Sequence, residues 1–185
     1  MQDTPYLSAK QFRRRVFRPV EGVFLFHPRA WERLIQRHLD ETGEAQPVPP
    51  LEYFLMPRAA FLTGLEDENP EALSVIEGID LPELVILLTM PSAQERSKIP
   101  ANALLQRYWA KRVESEGARD WELQRRQRHD REDFGAEGLR SLVGPIAFQE
   151  LRTVLTGDKQ ILPTANDEEL CRHFVGLVAR MRLFS

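Results

Sequence analysis

A chain of 185 residues is long enough to bury a real core, as one domain or as two small helical subdomains. Its content, 42% hydrophobic and 29% charged, is that of a soluble globular protein, and no segment approaches the roughly 18 to 20 apolar residues of a membrane helix. A formal charge of −3 provides no global basic field toward nucleic acid or anionic lipid, and a single cysteine, Cys171, excludes an internal disulfide or a multi-cysteine metal site.

The N-terminus, MQDTPYLSAKQFRRR, places acidic and polar groups where a signal peptide carries its apolar region, so a cytoplasmic location is the default expectation. Of the 25 cationic residues only Lys10, Lys98, Lys111 and Lys159 are lysine, which leaves 21 arginines. Arginine suits bidentate contacts with carboxylate or phosphate. Codon usage explains the excess at least as well, so by itself it decides nothing.

In chain order, Ser8 followed by Gln11 has the form of a capping box. Phe12, Val16 and Phe17 then line a short helix that ends before Pro19, with Arg13 to Arg15 on its other faces. Val20 to Phe26 reads as an extended segment or buried turn. His27-Pro28 opens the clearest short helix, with Trp31, Leu34, Ile35, His38 and Leu39 on one side and Gly43 at its end. The proline-rich Glu44 to Pro50 is a connector. Leu51 to Leu65 is ambiguous between strand and helix, broken at Pro57. Asn69-Pro70 starts a short helix over Glu71 to Glu77.

Leu84 to Leu88 holds five consecutive large aliphatics, so no side of it faces water cheaply, and the rest of the chain should pack around it. Pro82 at a first turn favours a helix there; a strand would be central or parallel-like and would need partners. Pro100 opens a long helix with Leu104, Leu105, Tyr108, Trp109 and Val113 on one side. It continues through Glu114, Ala118 and Trp121 toward Asp133, with Gly117 as a weak point. Past Trp121 the apolar stripe stops and ELQRRQRHDRED is polar on every face. Short helices follow over Gly135 to Val143 and from Pro145 to Gly157, the latter carrying Ile146, Leu151, Val154 and Leu155. Thr164 with Asp167 resembles another capping box ahead of a final stripe of Leu170, Phe174, Leu177, Val178 and Met181.

These readings predict a mainly α protein, an irregular multi-helix bundle or short array of helix pairs. At most a minor β element is expected, drawn from Val20 to Phe26, Leu51 to Met56 or Glu83 to Thr89. The domain is expected to span 1–185, with a subdivision at 1–98 and 99–185 as the alternative, and its abrupt apolar end suits one domain of a longer protein. Prolines 29 and then 34 residues apart, at Pro28, Pro57 and Pro91, follow apolar runs, but their uneven spacing reads as repeated use of proline at element boundaries. The expected core includes Leu34, Leu84, Ile86, Leu87, Leu105, Trp109, Phe174 and Leu177.

His129-Asp130, with His38 and Asp158 or Asp167, has the order of a metal-dependent phosphohydrolase set, but the pair sits in RRQRHDRED with no apolar shell to orient ligands. Cys171 and His173 lie two apart on a helix and point about 200° from each other. No phosphate loop, nucleophile elbow or calcium loop occurs. No enzyme, cofactor or metal is therefore expected.

Two readings remain. The first is a non-enzymatic protein-interaction or regulatory module whose partner, an acidic protein surface, meets Trp121, Arg125, Arg126, Arg128 and Arg131, with Trp121 as apolar anchor. The second is a nucleic-acid-binding module using Arg13 to Arg18 and Arg125 to Arg131. Glu122, Asp130, Glu132 and Asp133 nearly cancel the second cluster.

Overall fold

The computed structural model describes residues 6–43, 53–68, 74, 76–128, 135–158 and 160–184. The connector over Glu44 to Pro50, the start of the helix expected at Asn69-Pro70, His129-Asp130 and Arg131 lie outside them. The described residues are predominantly helical with one three-stranded sheet, as the sequence predicts. They divide into two compact units, Met1–Val48 with Glu52–Lys111, and Pro49–Leu51 with Arg112–Ser185. The boundary between Lys111 and Arg112 falls inside a continuous helix.

In the first unit, α1 (Ala9–Val16) begins at the Ser8 and Gln11 capping box foreseen from the sequence. A single 3-10 turn follows at Pro19–Glu21, and Gly22 adopts φ 67° to lead into β1 (Val23–Phe26). Then come α2 (Pro28–Thr42), β2 (Tyr53–Pro57), α3 (Arg58–Glu68), β3 (Leu84–Thr89) and the six-residue α4 (Ala93–Lys98).

Leu84 to Leu88 is a strand and not the favoured helix. β3 is central, parallel to β1 and antiparallel to β2, so Val23 to Phe26 and Tyr53 to Pro57 supply the partners the strand alternative required. The reason is physical: a strand between two neighbours and covered on both faces needs apolar side chains at every position, and Val85 and Ile86 are β-branched. All five aliphatics are buried. Phe24 meets Phe61 of α3 at 4.4 Å, and the indole Nε1 of Trp31 in α2 donates to the Leu87 carbonyl at 3.2 Å.

α5 (Ala101–Gln127) passes through Gly117 without a break. In its first part Leu104 and Tyr108 are buried, while the expected Leu105 and Trp109 are only half-buried, a small rotation of the predicted face. Tyr108 packs edge-on against Phe12 of α1 at 5.4 Å, and its hydroxyl donates to the Val16 carbonyl at 2.9 Å.

The second unit contains the rest of α5 with α6 (Ala136–Val143), α7 (Pro145–Gly157) and α8 (Asp167–Phe184). Its core gathers Trp121, Phe148, Leu155, Ile161, Leu170 and Cys171, with Phe174 and Leu177 partly buried against them. The cap of α8 is Asn166, whose side-chain oxygen accepts from the Glu169 amide at 2.8 Å, and not Thr164. Met181, expected on the inner stripe, is exposed, because His173 and Gly176 take the buried face.

Candidate protein-binding surfaces

The predicted arginine surface belongs to the last turns of α5. Polar residues share the burial of that helix: Arg112, Glu114, Ser115 and Glu122 are all buried. Each has a partner within the second unit. Arg112 Nη2 lies 2.8 Å from Glu116, the Ser115 hydroxyl donates to the Arg112 carbonyl at 2.8 Å, and Arg180 of α8 donates to Glu114 at 2.7 Å.

Glu122 accepts from Arg125 Nη2 at 2.8 Å and from Arg126 Nε at 3.0 Å. Burial pushes its carboxyl up, but the two guanidinium hydrogen bonds outweigh burial and hold it below the usual carboxylate range. Arg125 also lies 3.8 Å from Glu168, whose Oε1 accepts from the Ala136 amide at 3.1 Å and so ties the start of α6 to α8.

Trp121, read from the sequence as an apolar anchor at the margin of the stripe, is a core residue. Its ring is 9% exposed and packs in the cluster of Phe148, Leu155 and Leu170, because the three helices after α5 supply the apolar neighbours that the polar local sequence conceals. Of the five site residues read from the sequence, Arg126 and Arg128 stand at the surface, Arg125 is half-buried, Trp121 is inside, and Arg131 lies outside the described residues. Arginine is spent on internal contacts elsewhere too. Arg140 of α6 and Arg152 of α7 both pair with Asp167 at the start of α8, and Arg152 Nη1 donates to the Ala165 carbonyl at 2.6 Å.

An apolar surface appears instead on α6 and α7. Leu142, Ile146 and Val154 are 83%, 77% and 57% exposed, with Val143 beside them at 36%. On α7 the groove lined by Pro145, Ile146, Gln149, Glu150, Thr153 and Val154 is one continuous side of the helix. The sequence names Ile146 and Val154 together with Leu151 and Leu155 as the apolar residues of this helix, with no face assigned. A signal was present: Phe148, Leu151 and Leu155 already form one face at spacings of three and four, which leaves Ile146 and Val154 for a second.

Cys171 is fully buried, and burial first, then Glu168 and Asp167, pushes its thiol up to about 12, so it is a packing group and not a nucleophile. Burial, aided by Arg172, lowers His173 to about 4. Among the described residues no group of three His, Cys, Asp or Glu side chains is placed to hold a metal ion, and no helix is long and apolar enough to cross a membrane. Comparison with family models, with curated proteins and with solved structures finds no match in any of the three.

Proposed function

We propose that this chain is a non-enzymatic, cytoplasmic interaction module that binds another protein through the apolar side of α6 and α7. The observation that supports the reading is the exposure of Leu142, Val143, Ile146 and Val154 on adjoining helices of the second unit. Clustered aliphatics left in water are a cost that a partner's apolar face removes, at about 25 cal/mol per Å² covered. Single exposed aliphatics are ordinary, but four together are not.

The arginine end of α5 has a smaller part in this reading. Arg125 and Arg126 serve Glu122, so an acidic rim on the partner would be met by the outward-facing edges of Arg126 and Arg128. The matching of arginine by buried carboxylate also weighs against nucleic acid, where guanidiniums must be available to phosphate.

The test places a photoreactive side chain at 146, at 128 and, as a control, at the exposed Thr63 of α3, followed by irradiation in cells. A cross-link from 146 to one discrete polypeptide supports the reading, and Ile146→Asp should abolish that complex while leaving the circular dichroism unchanged. Cross-linking from 128 alone moves the surface to the end of α5. A pattern at 146 no different from that at 63 overturns the proposal.

A further inference from the structure

At the end of α5 carboxylates take up the guanidiniums that a phosphate would need, but in the first unit they do not. Lys10, Arg13, Arg14 and Arg15 lie on α1 and Arg18 just past it, and none of the five meets a carboxylate among the described residues. Elsewhere Arg37, Arg58, Arg112, Arg140, Arg152 and Arg180 each pair with at least one. Five cations against the one carboxylate of Glu21 give residues 6–21 a charge of +4, in a chain whose net charge is −3. Positive charge is therefore concentrated at α1.

The helix that carries these groups is held firmly. Its capping box closes one end, Phe12 packs edge-on against Tyr108, and the Val16 carbonyl accepts from the Tyr108 hydroxyl. With Phe12 and Val16 turned inward, a rotation of about 100° per residue spreads Arg13, Lys10, Arg14 and Arg15 over the outer arc of about 200°. All four are exposed. Neutral acceptors steady two guanidiniums without cancelling their charge: Arg13 Nε donates to Met90 Sδ at 3.2 Å, and Arg18 Nη1 to the Phe17 carbonyl at 2.9 Å. The helix dipole accounts for part of the cluster, since Arg13 to Arg15 fill the last turn. It does not account for Lys10, which stands in the first turn against the dipole, or for Arg18 outside the helix.

The kind of anion follows from shape. A flat lipid surface touches one side of a helix at a time, and α1 has no apolar face left to sink into it, because Phe12 and Val16 serve the core. A flexible phosphate chain can follow a convex arc of cations, and four guanidiniums to one ammonium suit the two-pronged contact with phosphate. Tyr6, exposed just ahead of the helix, adds an aromatic face on which a base can stack. We infer that α1 binds the backbone of single-stranded nucleic acid, with Lys10, Arg14 and Arg15 on phosphates, Arg13 and Arg18 at the flanks and Tyr6 against a base. Nothing in the inference depends on the α6 and α7 surface.

The experiment titrates the full chain into labelled oligothymidylate, oligouridylate and a DNA duplex, read by fluorescence anisotropy over a series of sodium chloride concentrations, with flotation on phosphatidylserine vesicles beside it. Saturable binding of either single strand supports the inference, and the tighter of the two names the sugar. Its affinity should fall with salt at a log–log slope of about −3, the value for four to five phosphates at about 0.7 each. Arg14→Ala with Arg15→Ala should reduce the magnitude of that slope by about 1.4. Tyr6→Ala should weaken binding about tenfold and leave the slope alone. Arg182→Ala, at an exposed arginine of α8, should change neither. No binding at low salt, binding to vesicles alone, a duplex affinity equal to that of the single strands, or a slope that the double variant leaves unaltered in folded protein would each overturn the assignment.

Discussion

Gly176 of α8 approaches Glu114 of α5 so closely that a β-carbon at 176 would stand 2.5 Å from the Glu114 carbonyl oxygen. One turn away on α5, a β-carbon at Gly117 would meet that of Ala179 at 2.7 Å. Backbone contact this near is available only to glycine, and it brings Arg180 within reach of the buried Glu114. Gly117, a weak point in an isolated helix, is therefore a requirement of the packed one.

Gly176→Ala should destabilise the second unit by about 1–3 kcal/mol, because the atom it strikes is backbone and cannot rotate aside. Gly157→Ala, with nothing within 4 Å of its added carbon, should be neutral or stabilise by about 0.5–1 kcal/mol. Denaturant melts of the two variants check the contrast; equal effects would show that α8 can shift outward freely.

The arginines of α5 give a second prediction. Replacing Arg125, Arg126 and Arg128 together by Glu would set new carboxylates beside Glu122 and Glu168, so the triple variant should lose stability whatever its effect on binding. Glu122→Gln should cost about 1 kcal/mol, limited by the partial exposure of both guanidiniums. Arg128→Glu, at an exposed side chain, should cost less than the triple variant, which makes it the cleaner probe of a partner. Thermal denaturation of all three separates the structural role from the surface one.

How much of this was legible differs by element. The capping box at Ser8, the stripe from Trp31 to Leu39 and the helices after Gly135 and Pro145 are written in local pattern, and the structure has them. Leu84 to Leu88 was legible as buried, and Glu83 to Thr89 was one of the three runs named for a minor β element, but a helix was favoured there because the pairing partners lie at 23–26 and 53–57 and no local period reveals them. Past Trp121 the sequence of α5 is polar on every face, and hydropathy cannot see that Glu122 is buried against Arg125 and Arg126. For the same reason Trp121 seemed marginal, although it lies among side chains up to residue 171.

Leu87 tests the centre of the first unit. It is fully buried in the middle strand, where its neighbours are held by two ladders and cannot collapse into a vacancy. Leu87→Ala should cost about 2–5 kcal/mol. Ile146→Ala, in the second unit and exposed, should stay within about 0.5 kcal/mol of the parent. Urea melts of both variants measure the difference, and a Leu87→Ala midpoint equal to the parent's would remove β3 from its central place.

The last prediction concerns acid. His173 is buried in the second unit, and burial first, with Arg172 second, lowers its pKa from 6.5 to about 4. The unfolded chain therefore binds a proton between pH 6.5 and 4 that the folded chain refuses. Stability rises with pH wherever the unfolded state holds more protons, so the contribution is present above 6.5 and is lost as pH falls through that window. Going from pH 7 to pH 5 should cost about 2 kcal/mol through this one group, at about 1.4 kcal/mol per pH unit. Glu122 acts in the same direction at lower pH, since its lowered carboxyl gives stability that is lost below the ordinary value of 4.5. The two are separable by variant. His173→Gln should flatten the fall between pH 7 and 5 whatever its own cost at pH 7, while Glu122→Gln should leave that fall intact and weaken the further loss below pH 4.5. Equilibrium denaturation across this range, monitored by exchange of the α8 amides, measures both. A His173→Gln slope equal to the parent's would mean that the imidazole takes up its proton without leaving the core.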